Sequence, residues 1–226
     1  MAPKNRSYQV SATPFTIFAH LIVIAVTTLV LVWLLHIRYG LAFKSTNKQK
    51  IFNLHPLLMI IGFLLLGGEA IMAYKSVPGP RKSQKLVHLI LHLLALLSGI
   101  LGIYAVFRYK HESSQPDMVT LHSWLGIITI SLFGLQYLLG FFTYFFPGAE
   151  MSTRGNLLPW HVFGGMAIFV LGIITAETGL LQTFIRSGLD FGTNQQGLIV
   201  NFTGLLLVLF AVSVGLAVLL PRGFSQ

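Results

Sequence analysis

Four histidines, His55, His88, His122 and His161, each stand near the N-terminal end of a different apolar stretch, and the four stretches follow one another along the chain. Neutral imidazole is a metal ligand, and near its own pKa it carries protons. Consecutive helices that cross a bilayer run in opposite senses, so these N-terminal ends alternate between the two faces. His55 and His122 therefore fall at one face, and His88 or His92 falls with His161 at the other. Two neutral histidines at matching depth on facing helices, with small residues nearby for a flat macrocycle, make a bis-imidazole site for haem iron. The chain offers that arrangement twice. Zinc fits less well, because its centres draw on three or four protein donors. A proton relay through the same imidazoles, as in a proton-coupled transporter, is the competing chemistry.

Spacing bears on the pairing. His55 follows Lys50 by five residues and His122 follows Asp117 by five, so their depths agree. His161 follows Arg154 by seven, whereas His88 and His92 follow Lys85 by three and seven, which leaves the choice between those two open. From Arg81 to His92 a basic loop runs directly into an apolar helix, and Lys85, His88 and His92 share one face of it. With each ligand one turn inside a span of about 22 residues, a rise of ~1.5 Å per residue places the two sites on the order of 20 Å apart. Gly62, Gly67, Gly68, Gly99, Gly102, Gly164 and Gly165 suit either a flat cofactor or simple close packing of helices. Of the other histidines, His20 reads as a hydrogen-bonding group inside the bundle and His36 as interfacial.

The elements that position these residues are long and apolar. Of 226 residues 54% are hydrophobic and 9% charged, and the mean hydropathy is +0.77. A hydrocarbon core of ~30 Å needs about 20 residues of helix. Six blocks meet that length, near 13–35, 51–74, 86–107, 119–146, 157–181 and 197–220. The fold class is an all-α membrane protein, one domain over 1–226 with six transmembrane helices, four of them a central bundle for the histidines. The connections are too short for a soluble catalytic or nucleotide-binding domain. Cysteine is absent, which excludes disulfides, thiolate metal sites and covalent haem attachment. The net charge of +9 sits in short clusters beside the spans, so lipid headgroups and small anions are the expected partners rather than nucleic acid. The polar first 14 residues lead into a block of full membrane length, read as an uncleaved first span. Segment 75–85 carries four cations and no acid, which places it and both termini on the cytoplasmic side. That side totals eight cations, including Lys4 and Arg6, against seven opposite, so charge gives only a slight lean. Glu69 is placed near the interface. Spans one and six read as structural helices, and spans two and three faintly repeat as four and five.

The segments Asn53-Leu-His55-Pro56, Lys85-Leu-Val-His88, Leu121-His122-Ser123-Trp124 and Pro159-Trp160-His161, at these intervals, resemble the cytochrome b561 family, over about residues 15–220. Phe52-Asn-Leu-His-Pro and Gly68-Glu-Ala look like its plant branch. The resemblance implies two non-covalent b haems, with His88 paired to His161 on the cytoplasmic side and His55 paired to His122 opposite. His92 then becomes a neighbour near a haem propionate. It implies that ascorbate binds through Arg81, Lys85 and Arg154, and that electrons cross to monodehydroascorbate or a ferric chelate. Tyr109, Lys110 and His111 are the implied acceptor-side residues. The family also carries the expectation of a homodimer in a vacuolar, vesicular or plasma membrane.

Overall fold

A computed structural model describes residues 10–186, Gly188 and 194–222. Lys4 and Arg6, counted above, lie outside the described residues. Six helices are long and apolar enough to cross a membrane: α1 (Thr13–Ile37), α2 (Lys48–Ser76), α3 (Arg81–Glu112), α4 (Leu121–Phe145), α5 (Met151–Arg186) and α6 (Gln195–Leu219). Their number agrees with the six apolar blocks, but several begin earlier or end later. Hydropathy marks only the part of a helix in contact with hydrocarbon, whereas the backbone ladder runs on through polar residues at headgroup depth. α3 thus starts at Arg81, directly after Pro80, so Arg81, Lys82 and Lys85 belong to its first turns and not to a loop.

Local chemistry sets the ends. Asn47, Thr120 and Asn194 cap α2, α4 and α6, their side chains accepting from the backbone N–H groups of Gln49, Ser123 and Gln196. Pro56 removes one backbone donor inside α2, and the winding loosens to a π-helical stretch over Leu58–Leu65. Tyr39 and Gly40 adopt positive φ, 66° and 89°, and turn the chain back after α1.

The packing is inside-out relative to a soluble bundle only on its outer face. Ile17, Leu21 and Ile24 of α1, Leu94, Leu97 and Leu101 of α3 and Leu135, Leu139 and Phe142 of α4 are exposed, as lipid contact requires. α1 and α6 pack along each other and against α2, burying Ala19, Val26, Val30, Leu207, Val214 and Ala217. His20 Nδ1 and Glu69 Oε1 stand 2.8 Å apart between α1 and α2, the intrabundle hydrogen bond expected of His20. Lys75 donates to the Leu220 carbonyl at 2.6 Å, and the Ala12 N–H donates to that of Pro221 at 2.8 Å. These bonds join the start of α1 and the end of α2 to the end of α6, and the starts of α3 and α5 and the end of α4 lie on the same side, the terminal side. α2 to α5 form the inner bundle, and it holds a cavity near each end.

Candidate functional site

The cavity near the terminal side has a volume of about 500 Å³. His88 of α3 and His161 of α5 face each other across it, ring centres 6.4 Å apart. Burying an imidazole so that one nitrogen stays free requires a fixed partner for the other. His88 Nδ1 donates to the Ala70 carbonyl of α2 at 2.8 Å. His161 is held differently. Gln136 Nε2 of α4 donates to the His161 carbonyl at 2.7 Å and lies 3.1 Å from Nδ1. In this contact Nδ1 accepts and the ring proton sits on Nε2. Ligation through Nε2 requires that proton on Nδ1, with the carboxamide oxygen of Gln136 turned to accept it and its bond to the His161 carbonyl given up. A Cβ on Gly140 would stand 3.0 Å from His161 Cε1, so this glycine leaves room for the ring. His92 also lines the cavity but sits edge-on to His88 at 4.4 Å and against Phe133 at 5.4 Å.

Arg81, Lys85 and Arg154, singled out in the sequence, all line this cavity, together with Tyr74, Lys75 and Tyr144. Lys85 Nζ donates to the Tyr144 carbonyl at 3.1 Å and Arg154 Nε to that of Ala149 at 2.6 Å. Each histidine has a tyrosine beside it, Tyr74 at 5.3 Å from His88 and Tyr144 at 5.1 Å from His161.

The second cavity, about 450 Å³, lies toward the opposite side. His55 of α2 and His122 of α4 face each other in it, ring centres 6.0 Å apart. Both are anchored by main chain. His55 Nδ1 donates to the Gly102 carbonyl at 3.0 Å and His122 Nδ1 to that of Thr175 at 2.9 Å. Gly179 backs the His122 ring, where a Cβ would come to 2.7 Å from Cε1. Tyr109 and Lys110 line the cavity; His111 is exposed and does not. Arg38, Trp33, Gln115 and Arg186, which the sequence did not single out, line it as well. Arg38 lies in the loop beyond α1, and burial lowers its pKa from the usual guanidinium value without removing its charge. Phe63 and Leu64 of α2 line both cavities, and Phe63 packs on Phe133 at 4.8 Å.

Four histidines on four successive helices, paired in two end cavities, are thus on one molecule with a full set of short connections. A family model described as eukaryotic cytochrome b561 matches residues 54–187, which include all four. The chain belongs to the cytochrome b561 family. The chain is 49% identical to the probable ascorbate-specific transmembrane electron transporter 1 of Oryza sativa subsp. japonica, over 96% of this chain and 94% of the other. It is 43% identical to transmembrane ascorbate ferrireductase 1 of Arabidopsis thaliana, over 91% and 87%. It is 37% identical to a transmembrane ascorbate-dependent reductase of Ovis aries, over 90% and 81%.

Membership of the cytochrome b561 family implies haem b, and the donor set suits it. A metal ion held between two imidazole nitrogens at ~2 Å from each would set the ring centres about 6 Å apart. The observed separations are 6.0 and 6.4 Å. Among the described residues no cluster of three or more His, Asp or Glu forms a metal site, so each pair stands with two nitrogen donors, the number a macrocyclic iron leaves to the protein. The glycines divide. Gly62 faces Ser98, Gly68 faces Phe210 and Gly102 faces Met59, all as close packing. Gly67 and Gly165 line the first cavity, and Gly179 the second. Gln136, Gly140 and Gly179 had escaped the sequence reading. Gln136 carried a usable signal, a lone carboxamide in the middle of an apolar span.

Proposed function

We propose that this protein is a transmembrane ascorbate-dependent oxidoreductase that moves single electrons from ascorbate on the terminal side, taken as cytoplasmic, to an acceptor on the other. The acceptor is monodehydroascorbate or a ferric chelate. One observation carries the reading: two facing histidine pairs of nearly equal ring separation, 6.4 and 6.0 Å, in two cavities at opposite ends of one bundle. Haem b bound in each cavity supplies a one-electron Fe(III)/Fe(II) couple. The names of the rice, Arabidopsis and sheep relatives support ascorbate as the donor.

The chain's own part is to hold, orient and insulate. His88 and His161 serve as one ligand pair and His55 and His122 as the other. The carbonyls of Ala70, Gly102 and Thr175 keep the Nδ1 proton on three of the four rings and so present Nε2 to the cavity. Arg81, Lys85 and Arg154 bind ascorbate, a monoanion at neutral pH, by charge-assisted hydrogen bonds at the mouth of the first cavity. Tyr109 and Lys110 line the mouth through which the acceptor would approach; His111, exposed and outside the lining, has no part in it. Apolar side chains between the cavities exclude water from the path.

The test is made on purified full-length protein. It should hold two b haems per chain, reduced by ascorbate. In vesicles loaded with ascorbate, external ferric chelate should be reduced without loss of vesicle integrity. A colourless preparation that transports a solute with protons would overturn the reading in favour of a histidine relay.

A further inference from the structure

Arg38 is an unusual cation for its setting. It is half-buried, and its root is tied to the helix that carries His55. The wholly buried Asn53, two residues before His55, donates from Nδ2 to the Arg38 carbonyl at 2.5 Å and to that of Gly40 at 2.8 Å. Gln49 Nε2 in turn donates to Asn53 Oδ1 at 2.8 Å, so the loop after α1 is pinned to the start of α2. The guanidinium lies 5.8 Å from the centre of the Trp33 ring and 5.9 Å from that of Phe52. Aromatic contacts of this kind leave the in-plane N–H donors unspent.

Those donors meet no protein acceptor among the described residues. Three other cations on this side are occupied: Lys48 and Arg108 share Glu112 at 2.5 and 2.8 Å, and Lys110 donates to the Pro116 carbonyl at 3.0 Å. No Asp or Glu lines the second cavity, while Arg38, Lys110 and Arg186 do. The buried indole N–H of Trp33, on the same wall, also lacks an acceptor. A half-buried fork of free donors without an acid beside it is costly unless something anionic and planar completes it.

We infer that Arg38 anchors a carboxylate that lies in the second cavity, gripping it with the guanidinium fork while Trp33 and Phe52 fix the cation's position. The carboxylate has two sources, a propionate of the haem held by His55 and His122 or a carboxylate of an anionic acceptor. The inference rests on the two-haem reading above.

Arg38→Met and Arg38→Lys are prepared in the full-length, haem-loaded protein, with Lys48→Met as a control cation on the same side. Potentiometric titration resolves the two centres, haem release to an apoprotein scavenger is timed, and KM is measured for ferric citrate and for a cationic ruthenium ammine. If the propionate is gripped, Arg38→Met lowers the potential of one centre only and speeds its haem release about tenfold, the worth of a charged hydrogen bond. If the acceptor is gripped, KM for ferric citrate rises about tenfold while the cationic acceptor is unaffected. Arg38→Lys retains the charge but not the fork and recovers part of either effect. Unchanged potential, haem release and citrate KM in Arg38→Met overturn the inference, as does an equal change in Lys48→Met. Retention of the unshifted centre shows that the variant has folded. The two-haem reading fails separately, on the haem count of the wild type alone.

Discussion

The two cavities hold their histidines by different means. In the second, both rings are fixed by main-chain carbonyls, Gly102 for His55 and Thr175 for His122. In the first, only His88 has such an anchor, and His161 depends on the side chain of Gln136. Cations differ as well. Lys85 and Arg154 of the first cavity donate to nearby carbonyls, as Lys110 of the second does, whereas the guanidinium of Arg38 in the second lies against Trp33 and Phe52. A carbonyl anchor persists through almost any substitution at its residue, because every residue has one. A carboxamide anchor can be changed by one codon. The first cavity is therefore the tunable end of the molecule and the second is the end set by the backbone.

The largest effect should come from removing a ligand. His161→Ala or His88→Ala should halve the haem content and spare the other centre, and His55→Ala or His122→Ala should do the reverse. The pyridine haemochrome assay with resolved spectra checks this, and full haem in either of the first two variants would sink the pairing. A smaller and one-sided effect is expected of Gln136→Leu. Loss of an outer-shell partner typically costs 10–100-fold in affinity, so haem at the first cavity should be released that much faster with the second unaffected. Equal loosening of both ends would remove the contrast between side-chain and backbone anchoring. The smallest effect belongs to His92→Ala. It should keep both haems with a modest shift in one spectrum, because His92 stands edge-on to His88 while His88 is the ring that faces His161. Loss of a haem there would reverse the roles of His88 and His92.

Much of this was legible in the sequence because the bilayer permits so few solutions. Six apolar blocks could only be six helices, and histidines at alternate ends could only fall in two layers. Helix ends were less legible: α5 begins at Met151 rather than near 157, since the residues before Leu157 are polar enough to mask a helix that has already started. Spacing could not choose between His88 and His92, because both lie on the same face of α3; the proposed choice of His88 came from the resemblance, and its bond to the Ala70 carbonyl, supplied by another helix, supports it. Carbonyl anchors have no side-chain signature at all. Arg38 was hidden for a related reason. Its place beside His55 depends on the turn at Tyr39 and Gly40 and on the Asn53 bonds, not on proximity in sequence.

Phe63 and Leu64, common to both cavities, have an electrical consequence. Neither side chain can hydrogen-bond, so on the proposed function an electron can tunnel past them while no ion or water file follows to balance it. Each turnover then charges the bilayer as current charges a capacitor. One elementary charge moved through the whole field exchanges ~2.3 kcal/mol per 100 mV with it. The membrane voltage thereby acts as a second reactant, speeding transfer in one direction and stalling it in the other.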